Sequence, residues 1–298
     1  LGDVLTPYAE RLLHIVPGWM RKFRKLFEPF QPKHEENDLE GSKSNISRHY
    51  DLSNDLFTLF LDETMMYSSA NFAGEKPTWD NFAKAQIRKI EGILDYAGVK
   101  AGMHILEIGT GWGQLAMQAA YRGAKVHSIT LSKEQKALAD QRIIKAGLGH
   151  LINVEIRDYR DLTDQYDAVV SVEMIEAVGE KYWPTYFNAI SNHLKRGGRF
   201  GLQAITMPHD RLMASKHAYT WIHKYIFPGG IIPSREVIDK YTKAELKLVD
   251  SLSIRMGYAE TLRLWREKFM ENQTKVISLG FDEEFLRMWQ YYLAYSEA

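Results

Sequence analysis

The chain has 298 residues, with 38 Lys and Arg balanced by 38 Asp and Glu, and no cysteine. Zero net charge removes any bulk electrostatic case for nucleic acid, and the missing thiols exclude disulfides, thiolate metal sites and a cysteine nucleophile. Apolar residues, 45% of the chain, suffice for a large core, but no uninterrupted apolar run reaches the length of a membrane span.

Residues 1–31 interleave apolar positions (Leu12, Ile15, Val16, Trp19, Phe23) with basic ones (Arg11, Arg21, Lys22, Arg24, Lys25), and Pro17 divides them into two short helices. Such a face suits an anionic lipid surface and suits packing on its own domain equally well. Residues 32–46 are polar and read as a linker or mobile loop, so 1–46 is expected to be an appendage and 47–298 the main domain. Asp51 to Asp55 is a turn and cap cluster ahead of an apolar helix through Leu61. Met65 to Ser69 follows as an irregular stretch, either a lid or a packing segment. Trp79 to Ala97 has helical period, with Phe82, Ile87, Ile90, Ile93 and Leu94 on one side, and Gly98 closes it.

The stretch His104 to Leu115 is the most informative. An apolar strand ends in Glu107, glycines alternate at 109, 111 and 113, and a helix former follows from Gln114. Strand, glycine turn, helix is the first unit of a nucleotide-binding α/β sheet. The glycines let the backbone approach a ligand that any Cβ would push away. The acid before the first glycine suits a ligand with a cationic amine and a ribose rather than a leading pyrophosphate, which points to S-adenosylmethionine.

Further strands are expected at Lys125 to Thr130, Leu151 to Arg157, Tyr166 to Val172 and Phe200 to Ile205. Ser132 caps the helix after the second, and a helix over 181–194 ends at a turn signal, Lys195 to Gly198. The alternation gives an α/β fold with a doubly wound parallel sheet. Ligands in such sheets sit at the carboxyl ends of the strands. That gathers Glu107 to Gly113, Thr130 to Gln135, Asp158-Tyr159 and Glu173 to Glu176 around one pocket. After residue 205 the alternation stops. The aromatic-rich run 206–233 reads as an insertion over the pocket, followed by a strand from Leu246 to Ile254 and helices at 259–273 and 280–297.

In order along the chain, HYDLSNDLF, TMMYSSANF, LEIGTGWGQLA, ITLSKEQ, DYRDL, SVEMIEAVG, KYIFPGGIIPS and YAETLRLWREKF resemble the cyclopropane-fatty-acyl-phospholipid synthases and the related mycolic-acid methyltransferases. The resemblance runs from about residue 46 to the last residue. It implies a Rossmann-like class I methyltransferase sheet in which 206–265 is a lipid-binding insertion. It also implies methyl transfer from S-adenosylmethionine to the double bond of an unsaturated phospholipid acyl chain. A carbocation results, and a bound bicarbonate deprotonates it to close a cyclopropane.

Carried over by position, Tyr67 and Ser68 lie over the methionine end of the cofactor, with Glu107, Gly109, Thr110, Gly111 and Gly113 beneath. Thr130, Leu131, Ser132 and Gln135 take the ribose side, and Asp158 and Tyr159 the adenine. For the bicarbonate, Glu176 and Tyr258 supply side chains and Ile205 its backbone. Ser69 stands where the family has Cys, Gln203 where it has His, and Gly257 where a larger residue is usual. Gln donates a hydrogen bond but carries no charge. These departures keep two alternatives open. One is a hydride shift before deprotonation, giving a methylene- or methyl-branched chain. The other is a cofactor-holding lipid-binding relative without turnover. The implied setting is cytoplasmic, in peripheral contact with unsaturated phospholipid at the inner face of the membrane, with a homodimer possible and no metal or nucleic acid.

Overall fold

A parallel sheet in the order β3-β2-β1-β4-β5 organises the chain: β1 His104–Ile108, β2 Lys125–Thr130, β3 Ile152–Ile156, β4 Tyr166–Val172 and β5 Leu194–Gln203. The structure, a computed structural model, describes residues 5, 7, 32, 35–38, 41–45, 53–242 and 246–298. The amphipathic helices expected over 1–31 and the start of the HYDLSN motif lie outside the described residues.

Helices follow in the order α1 Asn54–Thr58, α2 Trp79–Tyr96, α3 Gln114–Tyr121, α4 Lys133–Lys145, α5 Trp183–His193, α6 His209–Ser215, α7 Trp221–Tyr225, α8 Arg235–Thr242, α9 Arg255–Glu271, α10 Gln273–Ser278 and α11 Glu283–Glu297. Strand side chains alternate between faces, so Ile105, Ala168 and Val170 enter one core with α2, α3 and α4. Leu106, Ile108 and Val169 enter the other, with α5. Both faces are covered, which is why β1 and β4 read as continuous apolar runs. A third core is aromatic. Phe57, Phe60, Tyr67, Trp265 and Trp289 join α1, the 60–72 segment, α9 and α11, with Phe57 against Trp112 at 4.9 Å and Tyr67 against Trp265 at 5.1 Å between ring centroids. No helix among the described residues is long and apolar enough to cross a membrane.

Three expectations need correction. The alternation of Leu246, Leu248, Leu252 and Ile254 forms no strand. Among the described residues no neighbouring strand pairs with it, and Leu248, Val249 and Leu252 stay exposed. The turn signal Lys195 to Gly198 lies inside β5 rather than before it. Its glycines are absorbed as an irregularity, with Tyr166 facing Leu194 and Ala168 facing Arg199. The polar stretch read as a linker is packed where it is described. Glu35, Asn37, Ser42 and Asn45 are buried. Asn37 Nδ2 donates to the Gly229 carbonyl at 2.8 Å, and Asn45 Nδ2 donates to Asn37 Oδ1 at 2.8 Å. Composition alone cannot distinguish a solvated linker from one whose amides are used in this way.

Gly257 has a local reason to lack a side chain. A Cβ there would lie 2.5 Å from the Ala70 carbonyl oxygen. The close approach is fixed by Thr261, whose Oγ1 accepts from Ala70 N at 3.0 Å and donates to the Gly257 carbonyl at 2.7 Å. Gly257→Ala should therefore push α9 off the 69–70 segment. The expected loss is about 1–3 kcal/mol in urea unfolding; an unchanged midpoint would show that the two segments separate freely.

Candidate active site

The turn from β1 to α3 forms the floor. Gly109 and Gly111 take φ of 96° and 52°, and the amides of Gly109 and Thr110 donate to the Ile129 carbonyl at 3.0 and 3.1 Å. Gly113, φ 87°, plays a different part: a Cβ would meet Ala139 Cβ at 3.2 Å, so it lets α3 pack on α4 and does not line the cleft. Glu107 is buried at the end of β1. Ser128 Oγ donates to it and also bonds Thr110 Oγ1 at 2.6 Å. Burial pushes the Glu107 carboxyl up to about 8.

Above this floor opens a cleft. Tyr67, Ser68, Glu107, Gly109, Thr110, Gly111, Thr130, Leu131, Gln135, Asp158 and Tyr159 all line it. Ser132 stands behind the wall as the cap of α4, accepting from Gln135 N at 3.1 Å. Thr130 Oγ1 donates to Gln135 Oε1 at 2.9 Å, which fixes that amide at the cleft edge. Asp158 is not a free carboxylate. Arg160 holds it through Nε at 2.8 Å and Nη2 at 2.7 Å, and the same guanidinium reaches Ser42 Oγ at 3.3 Å. Burial raises the Tyr159 phenol to about 12.

Sequence reasoning missed Ser42, Met65, Met66, Arg157 and Arg160 in the lining, and it missed Glu173 as an individual site residue. The Asp158–Arg160 spacing was a readable signal. Ser42 gave none, because it sits in a polar stretch with no periodicity.

Arg142 on α4 staples two walls together. It donates to the Thr64 and Trp112 carbonyls at 3.1 and 2.8 Å, to the Glu63 carbonyl at 3.1 Å and to Gln114 Oε1 at 2.7 Å. Removing it frees the segment leading to Tyr67 from the glycine turn. Arg142→Met is expected to weaken S-adenosylhomocysteine (SAH) binding about tenfold and stability by about 1–3 kcal/mol, read by calorimetry and urea unfolding.

Deeper in, β4 ends and the chain turns at Glu173, a non-glycine residue with φ 48°. That conformation is disfavoured for a side-chain-bearing residue and persists only where surrounding contacts enforce it. Here the contacts are visible. Glu173 N donates to the Gln203 carbonyl at 2.8 Å, while its Oε1 accepts from Ser69 N at 2.9 Å and from Gln203 Nε2 at 2.8 Å. Gln203 Nε2 also donates to the Ser69 carbonyl at 3.2 Å. One turn on, Glu176 Oε1 accepts from Ile205 N at 2.5 Å, and Glu176 Oε2 is buried with no hydrogen-bond partner among the described residues. Burial raises both carboxyls, and the neighbouring Glu173 charge helps push Glu176 to about 8. Ser69, Gln203, Glu176 and Ile205 thus come together as expected, but around Glu173. Tyr258, at the start of α9, packs against the aromatic core.

Two implied groups can be tested against this geometry. S-adenosylmethionine fits: the cleft is floored by backbone, and Glu107 is a buried carboxyl on its wall to which no cationic side chain among the described residues hydrogen-bonds. Bicarbonate does not fit. Of the donors expected to hold it, Ser69 N and Gln203 Nε2 are taken by Glu173 and Ile205 N by Glu176, and a further anion would face two carboxyls.

The fold and cleft define a class I S-adenosylmethionine-dependent methyltransferase. The family described as mycolic acid cyclopropane synthetase matches residues 37–298, and the chain belongs to that family. It is 52% identical to the tuberculostearic acid methyltransferase of Mycobacterium tuberculosis over a 304-residue alignment, covering 100% of this chain and 71% of that protein. It is 37% identical to the cyclopropane-fatty-acyl-phospholipid synthase of Escherichia coli, covering 82% of this chain and 61% of that protein. The chain therefore spans about two thirds of the length of these curated relatives. Among solved structures, the cyclopropane synthase MmaA2 of Mycobacterium tuberculosis superposes with a TM-score of 0.78 at 30% identity, covering 87% of this chain and 93% of that one. The mycolic acid cyclopropane synthase CmaA1 complexed with SAH and CTAB gives 0.77 at 29% identity, covering 89% and 92%.

Proposed function

We propose that the protein methylates the cis double bond of an unsaturated phospholipid acyl chain and that Glu173 is the base that completes the reaction. The product is a methylene-branched chain. The observation that carries this reading is the seating of the Glu173 carboxylate on Ser69 N and Gln203 Nε2, the place inferred for an external base. When bound, S-adenosylmethionine supplies an electrophilic methyl group. The residues present for it are Glu107 toward the amine, the glycine turn beneath and Gln135 toward the ribose.

The rest of the chemistry falls to the chain. Addition of a methyl to one alkene carbon leaves a cation on its neighbour. Tyr67, which lines the cleft and packs on the buried Trp265, offers a π-face to that cation, and the aromatic core behind it keeps water away. A hydride then moves from the methyl-bearing carbon to its neighbour, shifting the cation onto the branched carbon. Glu173 takes a proton from the new methyl, and the C–H electron pair becomes an exocyclic double bond. Without the shift, loss of the same proton closes a cyclopropane. That second reading is favoured by the Escherichia coli relative, as the first is by the more similar tuberculostearic acid methyltransferase. A bilayer substrate requires peripheral membrane contact, and we place the protein at the cytoplasmic face.

Both products add one CH2, so mass alone does not separate them. Lipids from cells expressing the protein should show exocyclic methylene protons by NMR. Cyclopropane methylene signals in their place would favour the second reading. No methyl label in any unsaturated lipid would favour a binding protein without turnover.

A further inference from the structure

Behind the cleft wall, α2 sends two polar side chains from successive turns toward residues 66–69. Gln86 Nε2 donates to the Ser68 and Met66 carbonyls at 2.9 and 3.4 Å. Lys89 Nζ donates to Ser68 Oγ at 2.5 Å. Lys89 is 3% exposed and is the only buried Lys or Arg among the described residues. A buried ammonium is unfavourable unless anions offset it. The anions in range are engaged elsewhere. Asp62 accepts from Thr64 N at 3.0 Å and Thr64 Oγ1 at 2.9 Å, and Glu173 is held by Ser69 and Gln203. Among the described residues, the one group the ammonium hydrogen-bonds is a neutral hydroxyl that lines the cofactor cleft.

That hydroxyl acts as a relay. Having accepted from Nζ, Ser68 Oγ keeps its own hydrogen to donate into the cleft, strengthened by the cation behind it. A donor so charged selects an anion. Glu107, on the same cleft, selects a cation. An anionic acceptor for the one and a cationic donor for the other on a single ligand describe an amino-acid zwitterion, and the only carboxylate of S-adenosylmethionine is on its methionine end.

We propose that Lys89 is a positioning residue that acts through Ser68 to bind the α-carboxylate of the cofactor. The inference rests on the S-adenosylmethionine reading above and extends it to a residue outside the cleft lining.

The test is calorimetric titration of the folded protein with two ligands: SAH, and its decarboxylated analogue, which keeps the amine and lacks the carboxylate. Lys89→Met should weaken SAH about 10- to 100-fold while leaving the analogue within about twofold. Lys89→Arg, which keeps the charge, should recover part of the loss. Equal weakening of both ligands would mean that Lys89 only supports the wall, and no weakening of either would mean that it does not reach the cofactor; both overturn the proposal. If Lys89→Met does not fold, Ser68→Ala must show the same selective loss, and a non-selective loss there counts against the relay. Failure of the wild-type protein to bind SAH at all would instead sink the cofactor reading.

Discussion

Glu173→Gln is expected to lower turnover by about 10²- to 10⁴-fold, the range of a lost general base, while SAH binding stays within a few-fold. Gln keeps the shape and an acceptor for Ser69 N but cannot take a proton. The effect should therefore fall on kcat rather than on KM for the cofactor. The neighbouring carboxyl sets a comparison. Glu173 has two donors on one oxygen and the Lys89 charge within range, while Glu176 has backbone N–H donors alone, its own and that of Ile205, with the Glu173 charge against it, and is pushed to about 8. A close pair of buried carboxyls favours one proton between them, and that proton belongs on the less supported partner. Glu176 is then neutral at working pH, and Glu176→Gln, which imitates that form, should cost much less than Glu173→Gln. The reverse ranking would make Glu176 the base. A second readout follows from the donor set. Glu173→Ala frees Ser69 N and Gln203 Nε2, so added formate or bicarbonate should restore part of the rate. The wild-type protein, whose donors are engaged, should not respond.

Sequence made the scaffold legible because its signals are local. The β1 glycine turn, the Ser132 cap and the β-branched run of β4 each follow from a few neighbouring residues, and the structure places them as read. The site was legible as a set of positions, since residues at the carboxyl ends of strands converge whatever their identity. What sequence could not supply was the pairing within that set. Glu173 stood in the SVEMIEAVG motif as one acid beside another. Its seat on Ser69 and Gln203 depends on contacts 104 and 30 residues away and on a left-handed turn at a residue type that rarely adopts one. The same holds for Lys89, which looks like an ordinary charge on a helix until α2 is docked against the cleft wall, and for the 35–45 stretch, whose partners at Gly229 and Arg160 are remote in sequence. Local propensity was also misleading in two places. Gly197 and Gly198 signal a turn but lie within β5, and 246–254 has the alternation of a strand without one to pair with.

Cofactor affinity should rise with pH by up to about tenfold per unit below the free Glu107 value of about 8, and level off near it. In the ligand-free protein Glu107 is fully buried, which raises its carboxyl from 4.5 to about 8 and keeps it protonated at neutral pH. A cofactor ammonium beside it favours the carboxylate. Binding therefore releases a proton, and proton release on binding means affinity that increases with pH. Calorimetry of SAH in buffers of different ionisation enthalpy should count close to one proton released near neutral pH. Glu107→Gln should abolish that release, flatten the pH dependence and weaken SAH about 100-fold, the scale of a lost buried charge partner. The stability of the free protein has the opposite sign. Glu107 has a raised folded value and an ordinary unfolded one, so the folded state holds the extra proton between about 4.5 and about 8. Stability is then highest below that window and declines as pH rises through it. Glu176, also raised to about 8, adds to the decline. The free protein should melt at lower temperature at pH 8 than at pH 6, and the thermal shift produced by SAH should be larger at pH 8. A flat affinity profile between these two values would show that Glu107 is already ionised in the free cleft, and a cation other than the cofactor amine would then have to account for it.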